Sequence, residues 1–195
     1  MKKLVYSKAI KTLCLGIILG TSMNGIAQTA PPVTEKLIPY GDFNSWMVRI
    51  IDESFVIGGN TKILYEVAPV DTIRGAVPYN SSPVSPWRTS NVMAKVSGVT
   101  KCSISVFPEK RGDGQCVRLE TLMENCKVLG LVNITVLVPG TIYLGEMLEP
   151  IKDTKNPQSK LNAGIPFTET PKAVVLDYKM YIPETDHRIK ATGFS

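Results

Sequence analysis

Apolar residues recur at every second position in several short stretches of this chain, which is the pattern of half-buried β-strands. In one of them Ile63, Tyr65 and Val67 fall on a single face. No window of a dozen residues shows a helical period. We therefore expect residues 28–195 to be at least about one-third strand, with no helix longer than about three turns. The predicted strands with this spacing are residues 61–69, 101–107, 116–122 and 172–182, and residues 129–139 are a further strand candidate, a β-branched run that is polar only at Asn133 and Thr135.

Glycine and proline separate these stretches at short intervals. Residues 58–60 (Gly-Gly-Asn) and 111–114 (Arg-Gly-Asp-Gly) suit hairpin loops, and residues 77–86 read as a long polar loop. Many short strands with frequent turn signals indicate an antiparallel β-sandwich and not an α/β fold. The predicted fold class is all-β, with a single sandwich domain over residues 28–195.

The amino terminus has the pattern of a secretory signal peptide. Residues 1–11 carry lysines and no acid, and the apolar run that follows is shorter than the roughly 20 residues that span a bilayer. Gly25 and Ala27 stand three residues and one residue before a cleavage site at Gln28. We predict a signal peptide over residues 1–27 and export to the periplasm, the cell surface or the medium, with no membrane-spanning segment after cleavage.

The net charge of the chain comes mostly from this leader. The leader holds four of the 22 Lys and Arg residues and none of the 17 Asp and Glu residues, which leaves a net charge of +1 for the rest. Nucleic-acid binding depends chiefly on clustered basic residues that neutralise phosphates, and no window after the leader has such a cluster. A nucleic-acid partner is therefore disfavoured.

The predicted exported part contains three cysteines, so at least one has no partner within the chain. A Cys102–Cys116 disulfide across the 111–114 loop is unfavourable, because Phe107 is expected near Cys116 instead. The two cysteines are also expected on opposite faces, which cannot be bridged without moving the backbone. We predict that Cys102 and Cys116 are not bonded and that the cysteines are buried, reduced thiols.

The sequence lacks the parts of several common chemistries. His187 is the single histidine, and there is no His-Glu-x-x-His, Cys-x-x-Cys or glycine-rich phosphate loop. We assign no catalytic residue and no cofactor, and leave a structural calcium ion open. Acidic residues are numerous, but nothing shows which two would face each other as a glycosidase requires. Arg111-Gly112-Asp113 matches an adhesion tripeptide, which a hairpin tip also explains.

The residues around Trp87 suit a carbohydrate. A sugar ring offers a C–H face that stacks on an aromatic ring, and hydroxyls that bond to planar polar groups. The candidate binding residues are Trp87, Arg88, Thr89 and Asn91. The same segment also fits a tryptophan that packs inward and pins the preceding loop. Trp46, beside an apolar run, is expected in the core.

Several motifs together resemble a known family. The segment LIPYGDFNSW is similar to the Gly-Asp-Phe-x-x-Trp opening of jelly-roll carbohydrate-binding domains. The succession GDFNSW, PWRTSN, CVRLET, GTIYLGEM and GIPFTETPKAVVLDYKMYIP resembles the carbohydrate metabolism domain (PCMD) family of exported Bacteroidetes proteins. The resemblance runs from about Leu37 to Pro183, with the pieces in the family's order.

The resemblance implies a jelly-roll similar to carbohydrate-binding modules. It implies that Gly41, Asp42, Phe43 and Trp46 open the first strand and that residues 87–91 form a Trp-x-Thr-x-Asn turn. It also implies a strand ending at Tyr178-Lys179 after Pro166-Phe167. It also implies that the chain lacks the C-terminal part of the domain. The leading interpretation is an exported, non-catalytic glycan-binding domain. The alternatives are a glycoside-active enzyme with a carboxylate pair and a structural or adhesive surface protein.

Overall fold

The computed structural model describes residues 35–80, 84–128, 132–152 and 157–182. The predicted signal peptide, part of the predicted 77–86 loop, His187 and the side chain of Cys126 lie outside this description. The strands in chain order are β1 (Trp46–Asp52), β2 (Thr61–Val67), β3 (Thr72–Arg74), β4 (Trp87–Thr89), β5 (Val92–Val96), β6 (Val99–Ser103), β7 (Val106–Arg111), β8 (Gly114–Leu119), β9 (Thr121–Val128), β10 (Val132–Pro139), β11 (Ile142–Met147) and β12 (Leu161–Ala163).

The strands pair into several sheets that are mostly antiparallel. One sheet has the order β2-β1-β3 and another β12-β11-β4, while β5 pairs with β6, β7 with β8 and β9 with β10. The exception is β3, which runs parallel to β1. Short 3-10 helices at Phe55–Ile57 and Pro157–Lys160 are the helical elements of the described ranges. The protein is an all-β sandwich, as predicted.

No helix among the described residues is long and apolar enough to cross a membrane.

Strands β1 and β2 carry buried side chains on both of their faces. On one face Trp46 and Val67 are cross-strand partners, and they form a cluster with Val106 that we call the Trp46 cluster. On the other face Ile51 and Leu64 form a second cluster with residues of β5 and β6. Successive side chains of a strand point to opposite faces, so both faces of β1 and β2 contribute to the core.

This double burial corrects the predicted face of β2. Residues Ile63, Tyr65 and Val67 do share a face, but Ile63 lies at its exposed end. Leu64 and Glu66, expected on the outer face, are buried. A period of two identifies which residues share a face, but it does not show that a second layer covers the other one.

Two of the predicted strands have different bounds in the structure. Residues 101–107 are divided between β6 and β7, because the chain leaves the ladder at Ile104 and Ser105. Residues 116–122 are likewise divided at Glu120, whose backbone NH donates to the carbonyl oxygen of Ser105. In both places the apolar residues continue to alternate across the break between two strands, so the sequence pattern does not reveal the break.

The prediction of a strand at residues 172–182 is wrong for this structure, which contains no strand there. The segment has the right alternation, but no backbone hydrogen bond joins it to a strand among the described residues. Strand structure needs a hydrogen-bonded partner, and a strand-like sequence cannot supply one. The strand that the family resemblance placed at Tyr178-Lys179 is absent for the same reason.

The hairpin of β7 and β8 turns at Gly112 and Asp113, as the sequence predicted. Its register places Glu109 opposite Cys116 and Phe107 opposite Arg118, so the expected neighbour of Cys116 was two residues off. Cys102 lies on β6, where it pairs with Met93 of β5. Both cysteines are free, which confirms the prediction that they are not bonded. The prediction of buried thiols is correct for Cys102 but wrong for Cys116, which is half-buried.

The two thiols should differ in reactivity. Cys102 is buried, and burial, aided by the nearby Glu53 carboxylate, raises the pKa of its thiol to about 12. The thiolate is the reactive form, so iodoacetamide should label the half-buried Cys116 well before Cys102 in the native protein. Peptide mass spectrometry without reductant measures both rates. A cross-linked Cys102–Cys116 peptide, or equal rates, would contradict this expectation.

Trp46 is buried in the core, as predicted, and its indole NH donates to the carbonyl oxygen of Phe43 at 2.7 Å. Trp46→Ala should lower the free energy of unfolding by about 3–5 kcal/mol, the usual cost of deleting a buried large aromatic side chain. Urea denaturation measures this. Phe55→Ala is the matched control, because Phe55 is 92% exposed and its loss should change little. Similar costs for the two variants would show that Trp46 is not a core anchor.

Candidate functional site

Asn91 is enclosed by backbone groups that use its whole amide. Its Nδ2 donates to the carbonyl oxygens of Tyr65 at 2.9 Å and Val106 at 2.8 Å. Its Oδ1 accepts from the backbone NH groups of Ser105 at 2.9 Å and Val106 at 3.0 Å. The residue is 2% exposed. Asn91 therefore joins β2 to the chain between β6 and β7 where the ladder is broken, and this arrangement leaves no donor for a ligand.

Thr89 is also buried. Its Oγ1 lies 3.1 Å from Oε2 of Glu66 and 3.2 Å from the carbonyl oxygen of Tyr65, and it accepts from the backbone NH of Asn91 at 3.2 Å. The single hydroxyl proton can serve one of these two acceptors at a time. Thr89, like Asn91, lies in the interior and presents no group to solvent.

Glu66 belongs to a buried ionic cluster that the sequence analysis did not predict. Arg49 of β1 donates through Nη1 to Oε1 of Glu66 and Oε1 of Glu149, each at 3.1 Å, and through Nη2 to Oε2 of Glu149. Glu149 also accepts from the backbone NH groups of Tyr79 and Met93, each at 2.9 Å. All three charged side chains are buried. We call these residues the Arg49 cluster.

The two acids of the Arg49 cluster are held differently. Glu149 accepts hydrogen bonds from both terminal nitrogens of Arg49 and from two backbone NH groups. Glu66 bonds to one terminal nitrogen of Arg49 and to the hydroxyl of Thr89. Burial raises the pKa of Glu66 to about 7, and the Arg49 charge only partly opposes this. Burial also disfavours the charge of Arg49, but the bonds and charges of Glu149 and Glu66 outweigh it and raise the Arg49 pKa.

Arg88 is a second buried arginine and is held without a carboxylate. Its Nη1 donates to the carbonyl oxygens of Trp87 and Ser85, and its guanidinium lies 5.2 Å from the centre of the Tyr79 ring. No acidic side chain in the described ranges pairs with it. Its Nε has no hydrogen-bond partner in that part of the chain. A buried cation of this kind is normally paired, so its surroundings are of interest as a ligand site.

Arg88 lines a groove of about 260 Å³ between β4, β11 and the chain around β12. The polar side chains at its edge are Glu146 of β11 and Asn162 of β12, which are both exposed. Gly145, with φ +143°, lies so close to the carbonyl oxygen of Asn162 that a Cβ atom there would collide with it. The other lining residues are Ser85, Pro86, Gly145, Gly164, Ile165 and Pro166.

Trp87 lies outside the residues that line this groove. Adjacent residues of a strand point to opposite faces, and Trp87 packs against the Trp46 cluster. Its indole NH donates to the carbonyl oxygen of Pro39 at 2.8 Å, and its ring meets the edge of Phe43 at 5.3 Å between centroids. The indole is half-buried. Of the candidate residues named from the sequence, Arg88 alone reaches the groove.

Glu146 and Asn162 were not among the site residues expected from the sequence. Both lie on strands that it did not predict, and β12 is only three residues long. The feature of the sequence that could have indicated this site is the pair Gly145 and Gly164. These two glycines lie where β11 and β12 come close together. Glycines that allow backbones to approach closely often lie beside binding sites.

A second, wider depression of about 490 Å³ lies beside the β7–β8 turn. Asn44 connects two sides of this depression, because the Oδ1 atom of Asn44 accepts a hydrogen bond from the backbone NH of Gln115 at 2.7 Å. The lining residues are Asn44, Lys110, Asp113, Gly114 and Gln115. This depression contains no buried, unpartnered polar group among the atoms described, and we use it below as a reference surface.

No group of three or more His, Cys, Asp or Glu side chains in the described ranges is arranged as a metal site. The question of a structural calcium ion therefore stays where the sequence left it.

No protein-family profile, curated protein or solved structure matches this chain. The resemblance to the PCMD family remains an expectation from the motifs. The class that the fold and the groove define is an all-β sandwich with a small polar groove at the edge of one sheet.

The Arg49 cluster predicts a specific pH dependence of stability. The pKa of Glu66 is raised in the folded state from 4.5 to about 7, so its protonated form favours folding and this contribution is lost as pH rises through about 7. Between pH 4.5 and 8 the wild type should lose stability relative to Glu66→Gln, on the order of 3 kcal/mol. Urea denaturation at several pH values measures the difference. A difference that is constant with pH would contradict the assignment.

Proposed function

We propose that this protein is an exported glycan-binding domain, without catalytic activity of its own, and that the groove beside Arg88 holds the saccharide. This proposal keeps the function suggested by the sequence and moves the centre of the site from Trp87 to Arg88, Glu146 and Asn162. The partner is a glycan or polysaccharide, and the role is carbohydrate recognition.

The observation that carries the proposal is the chemistry of the groove lining. A guanidinium, a carboxylate and an amide offer planar donors and acceptors of the kind that sugar hydroxyls require. Pro86, Ile165 and Pro166 add apolar surface against which the C–H face of a sugar ring can lie. Arg88 is fixed by backbone carbonyls and the Tyr79 ring, so its orientation does not have to be established on binding.

The size of the groove limits the ligand. Pockets for drug-sized molecules have volumes of roughly 300–1,000 Å³, and this groove has about 260 Å³. It suits one sugar ring, either a monosaccharide or a terminal or side-branch residue of a longer glycan. Affinity for a single ring is modest, so binding to a multivalent polysaccharide is the more sensitive measurement.

The glycosidase alternative has less support from the groove. Glu146 is the one carboxylate among the residues that line it, whereas hydrolysis requires two facing acids roughly 5–10 Å apart. Glu66 and Glu149 do approach each other, but Arg49 lies between them and all three are buried. The structural or adhesive alternative is favoured where Trp46 and Trp87 are both buried and no groove exists, whereas Trp87 is half-buried here and the groove beside Arg88 is present.

Asn162→Ala and Glu146→Gln test the proposal, because both residues are exposed and their loss should leave the fold intact. The full chain is first screened on an array of neutral and acidic polysaccharides, and the best ligand is then titrated by calorimetry. Each substitution should weaken binding by about 3- to 10-fold, the effect of losing one hydrogen bond.

Gln115→Ala is the matched control, since it removes an exposed amide from the wider depression near the β7–β8 turn. It should bind as the wild type does. Trp87→Ala is less informative, because it removes core contacts together with any sugar platform. The proposal fails if no saccharide binds, or if binding is insensitive to both groove substitutions.

A further inference from the structure

Residues 172–182 are an exposed stretch without regular secondary structure but with the composition of a strand. They include large apolar or aromatic side chains that are each more than half exposed, although an apolar surface of this size normally has a partner. No backbone hydrogen bond joins this segment to another part of the described chain. The exposed side chains are Val174, Val175, Leu176, Tyr178, Met180, Tyr181 and Ile182.

The segment is complementary to itself when two copies run antiparallel. A two-fold axis through Tyr178 places the residue n positions before Tyr178 in one copy opposite the residue n positions after Tyr178 in the other copy. Opposite charges then face each other, and the remaining pairs are apolar or aromatic. The pairs are Val174 with Ile182, Val175 with Tyr181, Leu176 with Met180, and Asp177 with Lys179, each formed twice, with Tyr178 opposite its own copy.

The charges select this register over its neighbours. An axis through Asp177 would place Asp177 opposite itself, and an axis through Lys179 would place Lys179 opposite itself, and like charges directly opposite are destabilising. An axis through Leu176 would leave both charges facing apolar residues. Of the registers nearest the centre of the segment, the one through Tyr178 alone pairs both charges with opposite partners.

We propose that residues 172–182 are a self-association strand, through which a second copy of this chain pairs antiparallel about a two-fold axis at Tyr178. The same segment of a second copy thus packs against this segment, as an isologous dimer requires. The backbone groups of the segment gain ladder partners, and the apolar side chains of the two copies cover one another across the strands. This proposal is independent of the groove and of its ligand.

The ion pair that Asp177 makes within the described part of the chain, and that would have to be exchanged, is weak. Asp177 lies 3.6 Å from Arg111 of the same chain, and both side chains are more than half exposed. Exposed pairs of this kind contribute roughly 0–1 kcal/mol and are screened by salt. Arg111→Ala is therefore expected to leave dimerisation unchanged or to strengthen it slightly.

Charge reversal provides a direct test with an internal rescue. Asp177→Lys places lysines opposite each other twice, and Lys179→Asp does the same with aspartates, while the double reversal restores both opposite-charge pairs. A two-stranded ribbon is marginal in water, so sedimentation equilibrium of the full chain should span about 1–200 µM. Each single reversal should raise the dissociation constant by at least about tenfold, and the double variant should return it towards the wild-type value.

Cysteine cross-linking tests the position of the axis. Residues directly opposite in an antiparallel pair have Cβ atoms about 4.5–5.5 Å apart, so Tyr178→Cys should form a covalent dimer on mild oxidation. Val175→Cys is the matched control, because in this register it faces Tyr181 and lies roughly 20 Å from its own copy. Both variants keep the native cysteines, so any cross-link through a native cysteine is the same in the two.

Three results would overturn the proposal. They are a wild type that is monomeric over the whole concentration range, an association that ignores both single reversals or is not rescued by the double one, and equal cross-linking of the two cysteine variants. A concentration-dependent dimer with the reversal and rescue pattern supports it.

Discussion

The buried guanidinium of Arg49 is the constraint on which the sandwich most depends. It lies on β1, bonds to Glu66 on β2, and holds Glu149, which follows β11. A charge in the interior is tolerated only where partners compensate for its lost hydration. Each acid therefore has to reach Arg49, and this requirement fixes β1 and β2 against the chain beyond β11. Because β11 forms one wall of the groove, the cluster also determines where Glu146 stands relative to Arg88.

Asn91 complements this electrostatic constraint with a geometric one. Where the chain leaves the ladder between β6 and β7, the amide of Asn91 bonds to the backbone NH groups of Ser105 and Val106 and to the carbonyl oxygen of Val106. It also donates to the carbonyl oxygen of Tyr65 on β2. The carboxylate of aspartate has the same shape but no donors, so it would lose the bonds to the carbonyl oxygens of Tyr65 and Val106. The residue read from the sequence as a ligand group is thus better explained as a structural one.

The parts of the fold that were predictable are those in which neighbouring residues carry the information. The turn at Gly112 and Asp113 and the burial of Trp46 follow from local composition. The parts that were not predictable depend on distant partners: Arg49 meets a residue 100 positions away, and the groove combines Arg88 with Asn162. Residues 172–182 show the same limit from the other side. Their alternation is visible in the local sequence, but a strand also needs a hydrogen-bonded neighbour, which the local sequence does not reveal.

The separation between Arg49 and Glu149 also sets an order of events during synthesis. Strands β1 and β2 leave the ribosome early, but the acid that completes their polar face is made a hundred residues later. Contacts of such long range close slowly, and their loop entropy is lost before any stabilisation is gained. The amino-terminal half therefore lacks the Glu149 carboxylate that compensates Arg49 until the chain beyond β11 joins it, so the two parts have to reach their final packing together.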